Sequence, residues 1–389
     1  MLDLAQDVKE EYFFTVPPVI MPETLEQLLV HAVKFNASDI TIQQDLPVYG
    51  EIYGFLYPLT RRSVSENEVR QIVTHIYGSN AIAMLASGQD LDKLYEYSPQ
   101  RGTRYRFRMN ATAINAPGGD GVQVTLRSIP TTPPSLDALG IEKEIRDNIA
   151  PAQGLVLVVG ATGSGKSTLL SANIRNLLEC DESYKILTYE APIEFVYDEV
   201  KWKNSVISQT EIPRQLPSFE RGVRNALRRK PAIILVGESR DKETVRAAVE
   251  ASMTGHLVYS TVHANGVAET IKRLVNVFEP GERHAMAYDI IDSMRLIVAQ
   301  RLVRSSDGKR VALREYLAFD QQLRDRLLEM SIEKAIAEVR KILKAKRQTL
   351  VDSANRAHEE GKLNAEDHRK IVVGLVGAIE RDEAEEESQ

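Results

Sequence analysis

The chain has 389 residues, enough for two or three domains that each bury a core. Its 43% hydrophobic and 27% charged residues exclude a disordered chain, and a net charge of −6 gives no general pull toward nucleic acid or anionic lipid. One cysteine, Cys180, excludes an internal disulfide framework and a cysteine-rich zinc module.

Residues 1–22 read as a loosely ordered extension ending in Pro17-Pro18 and Pro22. The first residues carry acids where a signal peptide places a basic and then an apolar stretch. No segment approaches the ~20 consecutive apolar residues of a membrane span. Both features predict a cytoplasmic protein, at most peripheral to a membrane. Residues 23–128 read as a smaller mixed α/β domain. Glu23–Phe35 has helical spacing, and Asp39–Gln43, Val48–Leu56, Tyr105–Asn110 and Val122–Arg127 alternate as half-buried strands. Ser128–Ser135 is proline-rich and marks a hinge, with the linker taken as 129–140.

Residues 141–320 predict a second α/β domain. Leu155–Val159, Lys185–Glu190, Ala232–Glu238 and Leu257–Val262 are apolar or β-branched runs separated by helical stretches, as in a parallel sheet covered on both faces. Lys166–Cys180 has helical spacing, which puts Cys180 on an apolar face as a core thiol. Residues 321–389 predict a helical region. Ser331–Leu350 reads as an amphipathic helix with a basic side, solvated rather than docked on an acidic partner or a membrane surface; Asn364 caps a last helix, and an acidic, disordered tail begins at Glu380.

The chemistry gathers at the strand ends. Gly160-Ala161-Thr162-Gly163-Ser164-Gly165-Lys166-Ser167-Thr168 follows an apolar strand and opens a helix, the context of a Walker A phosphate loop. Glycines let backbone N–H groups turn toward phosphate oxygens. Lys166 reaches the β/γ-phosphates of a nucleoside triphosphate, and Ser167 offers its hydroxyl to Mg²⁺. About 70 residues on, the Ala232–Val236 run ends in Gly237-Glu238, an apolar strand delivering a Walker B acid that would share the Mg²⁺. A proline turn at Glu190-Ala-Pro192-Ile-Glu194 throws two more acids toward the same crevice. His256 and His263 bracket one strand an odd number of residues apart, so one faces the nucleotide while the other is structural.

In this order, Walker A, Glu190-x-Pro-Ile-Glu194-Phe, Val236-Gly-Glu238-x-Arg240-Asp241 and Thr254-Gly-His256…Thr261-x-His263 resemble the Walker A, Asp box, Walker B and His box of the PilT-like secretion and pilus ATPases. Ala37-Ser-Asp39-Ile and Tyr105-Arg106-Phe-Arg108-Met-Asn110-Ala extend the likeness into the first domain, so that it spans roughly residues 23–320. Tyr189–Asp198, Val223–Pro231 and Val311–Tyr316 look most like the DotB/TraJ branch, which serves type IVB secretion and conjugation. The resemblance implies a RecA-like P-loop ATPase domain preceded by a PAS-like domain, assembled as a homohexamer with ATP between neighbouring subunits. It implies Glu194 as the glutamate that activates water, Glu238 near Mg²⁺, His263 on the γ-phosphate side, and Arg106, Arg108 and Arg127 as arginine fingers. Its partners would be secretion or conjugation components at the cytoplasmic face of the inner membrane. Ala191 stands where the Asp box usually has aspartate, and the four-cysteine metal module of type II and pilus-extension ATPases is missing, so no zinc is expected. The acidic charge and the lack of an aromatic–basic groove argue against direct nucleic-acid binding. A pilus-retraction motor and a nucleotide-gated scaffold with incidental hydrolysis are the alternative readings.

Overall fold

A computed structural model of the chain describes residues 9–100, 103–129 and 132–387, with side chains through Gly377. The chain divides into two compact units, Met1–Thr131 and Thr132–Gln389.

Residues 9–21 are not a loose extension. The Phe14 N–H donates to Leu59 O at 2.7 Å, and Ile20, 1% exposed, sends its N–H to Glu68 Oε1 at 2.7 Å. Residues 1–8 of that expected extension lie outside the described residues. Helix α1 (Pro22–Lys34) opens on proline, which suits a first helical position, and buries Leu25, Leu28, Leu29 and Ala32 at helical spacing. Strand β1 (Ala37–Gln43) follows. The run expected as one strand over 48–56 is a hairpin of β2 (Tyr49–Ile52) and β3 (Phe55–Pro58). Tyr53 and Gly54, with φ of 51° and 86°, turn the chain back between them. Helices α2 (Glu66–Tyr77) and α3 (Ala81–Ala86) precede β4 (Leu91–Gln100), β5 (Thr103–Ala116) and β6 (Gly119–Ile129).

Among the described residues these strands form one six-stranded antiparallel sheet, ordered β3-β2-β1-β6-β5-β4. Ile40, Ile42, Phe107, Met109, Val124 and Leu126 alternate onto the face that shares a core with α1 and α2. The other face carries the arginines. Arg108 sits directly opposite Arg127 in register, and Arg106 lies two residues along the same strand.

In the larger unit, α4 (Lys143–Asn148), β7 (Gly154–Val159), α5 (Lys166–Glu179), β8 (Lys185–Glu190), β9 (Val206–Glu211), α6 (Phe219–Ala226) and β10 (Ile233–Val236) come first. Then follow α7 (Lys242–Met253), β11 (Leu257–Val262), α8 (Val267–Asn276), α9 (Pro280–Ser293), β12 (Met294–Arg304) and β13 (Arg310–Ala318). The sheet order is β13-β12-β7-β11-β10-β8-β9, parallel except for β13. Leu155, Leu157 and Val159 enter one core while Val156 and Val158 enter the other, which is why β7 reads as a continuous apolar run. Cys180 sits at the C-cap of α5, half-buried, with its thiol donating to Leu177 O at 3.1 Å; it is not a core residue.

Of the expected linker, Pro130 and Thr131 lie outside the described residues. Beyond them the chain is already anchored, with Leu136 3% exposed in the same core as Ile145 and Val156. The expected helical region packs onto this unit. It comprises α10 (Gln321–Leu328), α11 (Ile332–Lys346), α12 (Leu350–Glu359) and α13 (Ala365–Glu387). Leu323, Leu327, Ile336, Val339 and Leu343 pack into the core of β7 and β11, so α11 turns its apolar stripe inward and its lysines outward. Asn364 Oδ1 accepts the Asp367 N–H at 2.8 Å, capping α13 as expected. The tail expected to be disordered continues this helix through Glu387. Among the described residues no helix is long and apolar enough to cross a membrane.

Candidate active site

Strands β7, β11, β10 and β8 are neighbours in the sheet, and their carboxyl ends carry, in that order, the phosphate loop, His263, Glu238 and the Glu190–Glu194 turn. A parallel sheet makes this convergence, because every strand ends at the same edge. The loop ends are lashed together. Gly237 N–H donates to Tyr189 O at 2.7 Å, Thr261 Oγ1 donates to Gly237 O at 2.6 Å, and Ser239 N–H donates to Thr261 O at 2.9 Å.

The loop itself has the shape a polyphosphate requires. Gly160 has φ of +146°, and a Cβ there would meet Gln300 O at 2.3 Å and Ser164 Oγ at 2.6 Å. Gly165, with φ of +84°, turns the chain into α5. Ala161, Thr162 and Gly163 are exposed, Ser167 and Thr168 are half-buried on the first turn of α5, and Ser164 is tucked beneath. Lys166 folds back over the loop, its Nζ donating to Gly160 O and Ala161 O, each at 2.9 Å. Burial holds its ammonium below the ordinary value, against the opposing pull of Glu238 and Glu194. A group held this way gains most from a phosphate anion.

Those two carboxylates therefore both act on the lysine. Glu194 is exposed, whereas Glu190 is buried and accepts from Thr188 Oγ1 at 2.6 Å and Gln209 Nε2 at 3.2 Å, so the turn separates the two acids. Glu238 Oε1 lies 3.1 Å from His263 Nε2 and in contact with Arg240. Burial first, then the charge of Lys166, hold the His263 imidazole below its ordinary value, so it is neutral at neutral pH. His256, at the other end of β11, is turned to Ala251 O at 3.1 Å. A cavity of about 460 Å³ opens beside His263 and is lined by Arg240, Lys272 and Arg273. The hydroxyl of Ser167 and the carboxylate of Glu238 are the oxygen donors Mg²⁺ prefers, so these residues fit that ion.

In the smaller unit each arginine meets a carboxylate. Arg106, its side chain 2% exposed, donates from Nε to Glu96 at 3.0 Å. Arg127 Nε donates to Asp39 at 2.9 Å, and Arg108 is paired with Asp92. Side-chain exposures of 49% and 68% leave Arg108 and Arg127 able to change partners, while Arg106 is built into the sheet.

Sequence reasoning missed Gln300, which touches the loop from behind, and Arg314, which holds Gln300. Gln300 Nε2 donates to Ser164 O at 2.7 Å, and Arg314 Nε donates to Gln300 Oε1 at 2.8 Å. They lie on β12 and β13, neither of which was expected; Arg314 falls within the Val311–Tyr316 stretch that carried the resemblance, but nothing in the sequence marked its pairing with Gln300.

Glu315 ties this region to α8, the helix after the His263 loop. Its Oε1 accepts the Val267 N–H at 2.8 Å, and the Leu350 N–H opening α12 is a second donor. Desolvation, with Glu269 nearby, pushes its carboxyl up from 4.5 to about 7 despite these amides and Arg340. Between those values the folded chain holds a proton the unfolded chain has released, so this contribution to stability is lost as pH rises from 4.5 to about 7. Glu315→Gln is expected to flatten that part of the stability–pH curve in denaturant titrations. An unchanged slope would assign it to other groups.

The parallel sheet, phosphate loop and strand-end acid define a P-loop nucleoside triphosphatase of the RecA-like kind. Residues 19–378 match the type II/IV secretion system protein family, and the chain belongs to that family and is an ATPase. It is 33% identical over 308 residues to the type IV pilus retraction ATPase PilT of Pseudomonas aeruginosa, covering 78% of this chain and 85% of that one. Among solved structures, the Legionella pneumophila ATPase DotB superposes with a TM-score of 0.87 at 48% identity, covering 92% of this chain and 98% of DotB. The pilus retraction motor PilT with bound ADP superposes at 0.75 with 30% identity, covering 88% and 95%.

Proposed function

We propose that the chain forms a homohexameric ring at the cytoplasmic face of an inner membrane, recruited there peripherally by secretion or conjugation components. The ring couples ATP hydrolysis to movement of substrates or pilus subunits in a type IVB secretion or conjugation system. The observation that carries this reading is the 48% identity to DotB across 92% of the chain. The 33% identity to PilT favours a pilus-retraction motor as the second reading.

In this mechanism the loop Gly160–Thr168 cradles the phosphates, and Lys166 exchanges its carbonyl partners for β/γ-oxygens. Ser167 and Glu238 would hold Mg²⁺, which would neutralise charge developing on the phosphoryl group. Glu194 accepts a proton from the attacking water, and neutral His263 offers a hydrogen bond on the γ-phosphate side. Arg108 and Arg127 leave their carboxylates for the ATP of a neighbouring subunit, with Arg106 setting the strand behind them. Release of these contacts after hydrolysis turns chemistry into rigid-body motion.

Turnover per subunit, measured across a wide range of protein concentration, tests the shared site. It is expected to rise and then plateau as the ring forms. Turnover that stays flat down to concentrations where the protein sizes as a monomer removes the arginines from the mechanism.

A further inference from the structure

We infer that the buried Gln300–Arg314 pair is a positioning device that transmits the state of the phosphate loop to the segment entering the ATPase unit. The inference rests on the assignment of Gly160–Thr168 as the phosphate-binding loop.

Three links make the chain. Gln300, 6% exposed, gives its amide N–H to Ser164 O at 2.7 Å, in the middle of the loop. Its carbonyl accepts Arg314 Nε at 2.8 Å. Arg314, 3% exposed, spends the rest of its guanidinium on the entering segment: Nη2 to Leu139 O at 3.0 Å, Nη1 to Gly140 O at 3.3 Å, and Nη1 to Glu142 Oε2 at 3.3 Å. A planar, permanently charged fork bonded on three sides has little freedom to absorb a shift on one side alone. Burial strengthens the constraint, since a donor that lets go has no water to replace its partner.

The receiving segment is placed to matter. It follows directly on the smaller unit in the chain, and it is also tied to the phosphate-loop helix, where Arg175 Nη1 on α5 donates to Pro133 O at 2.7 Å. The loop and its helix thus each hold one point of residues 132–142. When phosphates draw Lys166 off the Gly160 and Ala161 carbonyls, the loop resets, and Ser164 O moves with it. Gln300 and Arg314 carry that displacement to Leu139 and Gly140. The nucleotide state is thereby read out at the start of the ATPase unit, with no ligand contact there.

Hydrogen exchange on the full-length protein, with and without saturating ADP and Mg²⁺, tests the relay. In the wild type, nucleotide is expected to slow exchange in residues 160–168 and to change it by about fivefold or more in residues 136–142, the lower end of coupling between sites. Gln300→Leu removes both bonds. Gln300→Glu keeps an acceptor for Arg314 but sets a carboxylate oxygen, with no N–H to give, against Ser164 O. In both variants the 160–168 response should survive at saturation while the 136–142 response disappears. A purely structural role would lower the melting temperature and leave that response intact. A full 136–142 response in Gln300→Glu overturns the relay, as does its absence in the wild type when 160–168 is protected. Protection of neither segment in the wild type overturns the phosphate-loop assignment instead.

Discussion

Glu238→Gln is expected to bind ATP within about threefold of wild type and to lose turnover by about a hundred- to a thousandfold, the range for removing one group that stabilises developing charge. The substitution keeps the shape of the site. Glu238 follows a wholly buried strand, and Gly237 before it is fixed by the Tyr189 and Thr261 hydrogen bonds. An amide therefore sits where the carboxylate sat. What changes is charge: Glu238 supports the protonated forms of Lys166, Arg240 and His263, and an amide supports none of them. Glu194→Gln should also lower turnover, because the base for water is lost. The two differ in their Mg²⁺ dependence, which should shift in Glu238→Gln and stay in place in Glu194→Gln. Binding of a fluorescent ATP analogue with steady-state hydrolysis at several Mg²⁺ concentrations separates them. Near-normal turnover in Glu238→Gln would sink its assignment.

The parts of this site that the sequence made legible share a physical origin. Strands β7, β8, β10 and β11 are covered on both faces, so burial writes itself as unbroken runs such as Ile233–Val236. The phosphate loop is legible because its glycines are demanded by backbone geometry local to a few residues. Less legible strands have no such signature. On β4 only Leu91 is fully buried, with Tyr95 partly packed on the core, while β9 is a half-polar edge strand. Strand β12 begins at Met294, where α9 ends, with no turn residue between them. Having missed β12 and β13, sequence reasoning had no way to place Gln300 beside Arg314, since only their cross-strand register brings them opposite each other. The arginines show the converse limit. Alternation correctly puts Arg106 and Arg108 on one face, but it cannot set Arg127 of another strand opposite Arg108, nor say that Arg106 is closed over by Glu96 while Arg108 and Arg127 stay more open.

That difference in burial divides the arginines into two experiments. Arg108→Ala and Arg127→Ala each break an exposed ion pair worth about 0–1 kcal/mol, so their melting curves should stay near wild type. Their turnover should fall by about a thousandfold, the lower end for an arginine supplied to a phosphoryl-transfer site. Arg106→Ala removes a buried guanidinium from Glu96, and lower stability should accompany any loss of rate, so its rate alone does not report on catalysis. The decisive form of the experiment mixes subunits. Arg108→Ala subunits have intact phosphate loops, and Glu238→Gln subunits have intact arginines. In a ring with shared sites, an Arg108→Ala loop beside a Glu238→Gln neighbour again has every group it needs, so the mixture should hydrolyse ATP well above the sum of its parts. The recovery should follow the mixing ratio, because only one of the two kinds of hetero-interface is complete. A mixture that merely adds the two residual rates would mean that each subunit completes its own site, and Arg108 would then be a surface ion pair on the outer face of a sheet.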